Sequence, residues 1–218
     1  MTTNKTLETY WKYREHGVVL NEMLLDFLDE TYLNDCILLF GVTEENAALF
    51  FEDAANQDYL MDFAIHDYRD EKGKTALQNF TASNQYSSIT AIEKEILEAK
   101  INSKQSLFLV DEAKPEESLL GLKDVFNSYQ DTEIMDAALS RSLPSKNRYI
   151  FTRVMRFKHF SCTTGVSYIF KKNKFNNIKS TYLKQLKNYA GLNSHTKKAI
   201  AFYAVNTKYG LPVTNIPR

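Results

Sequence analysis

Asp62, His66 and Asp67 fall in one stretch of helical spacing, with Asp62 and His66 four positions apart. A carboxylate one helical turn from an imidazole can orient a general base or supply two ligands to a metal ion. None of the four histidines (His16, His66, His159, His195) belongs to an H-x-x-x-H pair. The plainer use of Asp62 and His66 is therefore an i, i+4 pair that helps a helix pack. Asp111-Glu112-Ala113-Lys114 closes on an E-x-K triplet, with which some nucleases hold Mg²⁺ and position a water, given a further Asp from an earlier strand. No earlier strand is legible, and Glu98-Ala99-Lys100 repeats the triplet inside a helical pattern. Ser140 and Ser142 lack the glycine elbow and partnered base of a nucleophilic serine, so a turn capped by its own hydroxyls suits them better. Gly191-Leu192-Asn193-Ser194-His195-Thr196 resembles the turn of a helix-turn-helix reader. However, Lys197 stands where an apolar residue is needed and Lys187 where a small one is. A helical hairpin describes this stretch better. No metal-ligand set and no cofactor fingerprint is present, so neither is expected, and a metal-dependent hydrolase or nuclease is kept only as an alternative.

The strongest chemical signal is charge. The chain has 27 Lys and Arg and 27 Asp and Glu, but the last acid is Asp136, and sixteen of the bases lie from Arg141 onward. A neutral total thus hides a chain of −16 followed by one of +16. Such asymmetry points to a polyanionic partner, or to two halves that hold each other within or between subunits. Twelve aromatics from Tyr149 to Tyr209 are interleaved with the bases, the combination that binds single-stranded nucleic acid. Most of those rings fall on core stripes. The bases expected to stay exposed for nucleic-acid contact are Arg148, Arg153, Arg156, Lys158, Lys171, Lys172, Lys174 and Lys179.

These residues need elements to position them. At 218 residues, with 44% hydrophobic and 25% charged, the chain can bury a sizeable core and is ordinary for a soluble globular protein. The start Met1-Thr2-Thr3-Asn4-Lys5 shows no signal-peptide pattern and no apolar run spans a bilayer, so a cytoplasmic protein off the membrane is expected. Cys36 and Cys162 are then two separate thiols.

Residues 1–103 read as mainly helical. Leu7, Tyr10, Trp11 and Val18 begin one stripe, and Leu20, Met23, Leu24, Phe27 and Leu28 form a second. A helix is expected to open at Thr43, another covers Gln57 to Tyr68, and Ser88 or Thr90 caps one with Ile89, Ile92, Ile96, Leu97 and Ile101 buried. Near Lys104 the period falls to two, which marks residues 104–171 as a small antiparallel β-barrel-like module. Its strands cover Ser106 to Val110, Ser118 to Phe126, Thr132 to Leu139, Tyr149 to Phe157 and Val166 to Phe170, with a turn at Thr163-Thr164-Gly165. Residues 172–218 form a basic helical hairpin broken by Gly191 and ended by Gly210 and Pro212. The fold class is α+β.

Two stretches carry a resemblance. Asp62-Phe63-Ala64-Ile65-His66-Asp67-Tyr68-Arg69 is followed by Gly73-Lys74-Thr75. Gly121-Leu122-Lys123-Asp124-Val125-Phe126 is followed by Leu139-Ser140-Arg141-Ser142-Leu143 and Phe151-Thr152-Arg153-Val154. This order resembles a family of uncharacterised bacterial proteins in which a helical D-F/W-x-x-x-D-Y segment precedes a small β module. Some relatives carry a cysteine-rich zinc tail of the SEC-C type; here the stretch after Phe170 has no Cys and only His195. Asn127-Ser128 also replaces the family's glycine after the β-module turn. The resemblance implies no activity. The expected role is a non-enzymatic binding protein whose basic half contacts nucleic acid. The alternative is an acidic protein partner or a homodimer held by complementary halves.

Overall fold

The computed structural model describes residues 4–127, 130–143 and 148–211. Ser128 of the turn after Phe126, and Pro212, lie outside them. Among the described residues helices precede a five-stranded sheet and a helical pair closes the chain, an α+β fold. Contacts gather the chain into two units built from separate stretches. Residues 1–12, 102–181 and 205–218 make a β unit, and residues 13–101 with 182–204 make a helical unit.

In the helical unit, spacing and caps decide the elements. α1 (Asn4–Asp26) enters it from Tyr13 and passes through Gly17 unbroken, so the two apolar stretches at the N-terminus are one helix. α2 (Glu30–Leu39) buries only Cys36, too thin a stripe to be read from periodicity. Asp29 starts it by accepting from the Tyr32 backbone N–H at 2.8 Å. α3 (Ala47–Glu52) begins later than Thr43, because the Asn46 side chain accepts from the Thr43 N–H at 2.8 Å and shapes a turn first. α4 (Ala54–His66) buries Leu60, Phe63 and Ala64. Phe63 lies 5.1 Å from Phe40, which lies 4.5 Å from Tyr203 of α9 (Ser194–Tyr209). α5 (Ala76–Thr81) opens on a capping box between Thr75 and Gln78.

α6 (Ala91–Ile101) is started by Thr90: its hydroxyl accepts from the Glu93 N–H at 3.3 Å, and the Glu93 carboxylate accepts from the Thr90 N–H at 2.8 Å. Ile96 and Leu97 are buried, but Ile101 is 41% exposed, so the stripe is narrower than expected. Burial works to raise the Glu93 pKa. The bonds from His16, at 3.0 Å, and from Thr90 outweigh it and hold Glu93 below its usual value. A carboxylate whose folded pKa is depressed adds stability above its unfolded pKa, about 4.3, and loses it as pH falls through the folded value. The melting-temperature gap between the protein and Glu93→Gln should accordingly be widest near neutrality and shrink below about pH 4. A constant gap would show that the carboxylate acts only by shape.

The β unit holds β1 (Lys104–Lys114), β2 (Leu119–Asp124), β3 (Gln130–Met135), β4 (Arg148–Arg156) and β5 (Ser161–Lys171). They pair in the order β1-β2-β3-β5-β4, and β4 returns to β1, so the sheet closes on itself. Phe108, Val110, Leu120, Leu122, Ile134, Ile150 and Ile169 fill its core.

Three expectations are corrected. The sheet is mixed: β3 meets β5 in parallel through Met135 opposite Cys162, while the other pairings are antiparallel. The strand expected over Thr132 to Leu139 ends at Met135, because Asp136 accepts from the Leu139 N–H at 3.0 Å and caps α7 (Ala137–Ser142). Leu139 reaches the core from that helix. Thr163-Thr164-Gly165 is not a turn but an irregularity inside β5, where the ladder passes from Thr152–Ser167 to Val154–Thr163. Gly165 sits there at φ 109°, a conformation that only glycine adopts readily. The turn between β4 and β5 is Phe157–Phe160, closed by the Phe157 N–H on the Phe160 carbonyl at 2.8 Å.

α8 (Phe175–Asn188) and α9 form the C-terminal pair. The Asn193 side chain starts α9, accepting from the His195 and Thr196 N–H groups at 3.1 and 3.0 Å. At its far end Gly210 bridges Phe170, and the Leu211 N–H bonds the Ile169 carbonyl at 2.8 Å. A Cβ on Gly210 would lie 2.6 Å from the Asn206 carbonyl oxygen, so this close return needs glycine. No helix among the described residues is long and apolar enough to cross a membrane.

Candidate functional site: the two ends of the β unit

The residues of catalytic type sit inside the packing. His66 is 7% exposed and Asp67 2%. His66 Nδ1 lies 2.9 Å from the Asp62 carbonyl and 3.3 Å from its carboxylate, within one turn of α4. Asp67 ends α4, its N–H bonding the Phe63 carbonyl, and its own carbonyl accepts from the Thr196 hydroxyl at 2.6 Å. The geometry is that of a helix terminus fastened to α9. Ser140 and Ser142 donate to the Ala137 and Leu139 carbonyls, as turn hydroxyls do. Among the described residues no group of three or more His, Cys, Asp or Glu is placed to hold a metal ion. Cys36 and Cys162 are buried thiols not joined in a disulfide, and burial pushes the Cys36 thiol up.

The basic residues divide between two ends of the β unit. Arg148 opens β4 and stands opposite Lys171 at the close of β5. Lys172 and Lys174 follow in a single 3-10 turn, and Lys179 is exposed on α8. The return of α9 to β5 adds Lys208 and Tyr209. The Thr181 hydroxyl, then Lys208 and Lys174, lower the Tyr209 phenol below its usual value, so cations crowd this ring. The Lys208 ammonium lies 5.4 Å from the ring centre. Arg156 and Lys158 are exposed at the other end of β4. Eight strand steps separate Arg148 from Arg156, roughly 26 Å at the usual rise. Arg153 is 5% exposed, within the irregular part of the β4–β5 ladder, and does not belong to either surface. Spacing could not have revealed Lys208 as a neighbour of Lys171, since a non-local bridge brings them together.

Beyond the basic end, the outward positions of β1 to β3 are acidic. Glu112, Gly121 and Glu133 stand side by side across the three strands, and Asp131 stands opposite Lys123. The E-x-K triplet of the sequence is here an exposed ion pair, with Lys114 Nζ 3.1 Å from Glu112; Asp111 pairs with Lys123 at 3.4 Å. Beside it, toward the β4–β5 turn, opens a cleft of about 390 Å³. Lys114 and Glu117 line one wall and His159, Phe160 and Ser161 another. Leu119, Glu133, Ile134 and Met135 come from β2 and β3, and Thr6 from the start of α1. Tyr10, one turn on, meets Phe160 edge-on at 6.1 Å and accepts from the Ala137 N–H at 3.4 Å, which seats α1 here. Of these lining residues only Lys114 stood out by sequence pattern, because Glu117 and His159 lie in turns without any motif.

No curated protein and no solved structure matches the chain. A family model covers residues 4–216, nearly its whole length, and the chain belongs to the family of unknown function DUF7986.

Proposed function

We propose that the protein is a non-enzymatic binding protein whose β unit contacts single-stranded nucleic acid at the end where Arg148, Lys171, Lys172 and Lys174 gather. The observation that carries this reading is the direct opposition of Arg148 and Lys171 across β4 and β5. Like charges directly opposed in a sheet destabilise it. No acid follows Asp136 in the chain, so β4, β5 and the helices after them bring bases and no carboxylate to this end, a composition that suits a polyanionic partner. Tyr209 supplies a ring beside the cations on which a base could stack. The strand order, with α7 between β3 and β4, is that of an OB-type barrel, an architecture often used to hold oligonucleotides. The usual β2–β3 face is acidic here, which directs the reading to the basic end.

Fluorescence anisotropy with a labelled single-stranded oligonucleotide tests it. Each neutralised phosphate contributes a slope of about −0.7 in log affinity against log salt, so four basic contacts predict about −3. A flat salt response, or no binding at low ionic strength, overturns the reading. A second reading, an acidic protein or another copy of the chain on the same basic end, is favoured by the acidic outer positions of β1 to β3. Salt-sensitive self-association without oligonucleotide binding would select it.

A further inference from the structure

We infer that the exposed apolar face of α2 and α3 docks a basic amphipathic helix of a partner protein. The face lies in the helical unit, and the inference is independent of the basic end of the β unit.

Packing leaves these two helices with apolar side chains to spare. Each buries a single residue, Cys36 in α2 and Phe50 in α3. Six residues are too few for backbone bonds alone to keep a helix, so side chains must hold α3 in place. Five of the six are apolar, yet the inward contacts rest on Phe50, whose ring lies 6.3 Å from Phe40 and 6.2 Å from Tyr203. Leu49 and Phe51, on either side of Phe50, are 72% and 38% exposed. Leu38, two residues before Phe40, is 70% exposed. Leu38 and Leu49 thus flank the same ring contact, and the Asn46 amide, donating to the Gly41 carbonyl at 3.1 Å, folds the connection between the two helices. Exposed leucines scattered singly are ordinary on protein surfaces, whereas a group of them marks an interaction site.

Charge selects the partner. From Glu15 to Tyr68 the chain has thirteen Asp and Glu and no Lys or Arg, so α2, α3 and α4 bring no base to this face. Glu44 and Glu45 precede α3 and Glu52 ends it, all three exposed. None of these carboxylates has an ion-pair partner among the described residues. A partner seated on Leu49 meets them at its rim, which repels an acidic segment and attracts a basic one. Secondary structure selects its form. Helices offer no unpaired row of backbone groups for an extended strand to join, so affinity must come from apolar side chains gathered on one face, as an amphipathic helix presents them.

The probe is a fluorescent peptide of leucine and lysine patterned as an amphipathic helix, with a scrambled peptide of the same composition beside it. Anisotropy titration with the full-length protein should show binding of the patterned peptide and much weaker binding of the scrambled one. Leu49→Ser should weaken the patterned peptide about tenfold, as loss of a central anchor does. Glu44→Gln with Glu45→Gln should weaken it and flatten its salt dependence. Leu183→Ser, at an exposed leucine of α8, should leave it unchanged. Circular dichroism melting shows whether the variants stay folded; should Leu49→Ser not fold, Leu38→Ser decides in its place. No binding of the patterned peptide overturns the inference, as does equal binding of the scrambled one, which charge alone would give, or binding that neither leucine substitution weakens. Sedimentation of the protein alone covers the other occupant: self-association that Leu49→Ser abolishes gives the face to a second copy and overturns the inference as well.

Discussion

Replacing Asp136 by Ala should lower the stability of the β unit by about 3 kcal/mol, combining about 1 for a lost helix cap with about 2 for a lost bond to a buried charged group. Asp136 is 6% exposed and serves two elements. One carboxylate oxygen accepts from the Leu139 N–H at 3.0 Å and starts α7, and the other accepts from the Thr163 hydroxyl at 2.5 Å on β5. Its own N–H bonds the Ser118 carbonyl at 2.8 Å, before β2. Asp136 thus joins β3 to β5 where the sheet closes through a single registered pair, Met135 with Cys162. Removing the carboxylate leaves a buried hydroxyl and a helix N–H to find other partners. Urea unfolding would measure the loss, and Asp136→Asn, which keeps an acceptor, should recover part of it. The same variant should disturb the cleft, since Met135 and Ser161 line it. A loss below about 1 kcal/mol would mean that water replaces both bonds, contrary to a closure that depends on them.

Reversing charge at one end of β4 and β5 should abolish oligonucleotide binding, while reversing it at the other should leave binding nearly intact. Lys171→Glu with Lys172→Glu places two negative charges beside Arg148 and Lys174; at low salt the affinity should fall by roughly a hundredfold or more, and the salt slope should shrink by about 0.7 for each lysine lost. Arg156→Glu with Lys158→Glu changes net charge equally, roughly 26 Å away along the strand. If general attraction to a basic chain were the cause, both pairs would weaken binding alike. The comparison separates a local surface from net charge. Lys171→Glu should also relieve its opposition to Arg148, so a rise in melting temperature together with lost binding is expected.

Much of the architecture was legible along the chain. Thr90, one of the two caps expected for its helix, makes the side-chain bond to backbone that its type favours. The switch to alternation near Lys104 coincides with the start of β1, because residues that face a core on one side and water on the other must alternate. Where local signals failed, the reason was long range. α2 escaped notice because a helix with one buried residue leaves no stripe. Leu139 read as strand because apolar residues at the end of β3 and in α7 suit either period, and only the Asp136 cap divides them.

The candidate sites were less legible. Asp62, His66 and Asp67 have the residue types of a catalytic group, but what they do is decided by burial and by Thr196, which is 129 positions from Asp67. Residue types along the sequence determined that the chain is acid-free after Asp136, that it is an α+β protein and that helices follow its strands. Tertiary structure decided which bases meet. Strand pairing set Arg148 against Lys171, the Gly210 bridge brought Lys208 beside them, and the length of β4 carried Arg156 and Lys158 to the far end. Closure of the sheet likewise assembled a cleft from residues as distant as Thr6 and Ser161. Composition fixes how much charge a chain carries, but pairing register and chain reversal fix where it is concentrated, and neither is a property of local sequence.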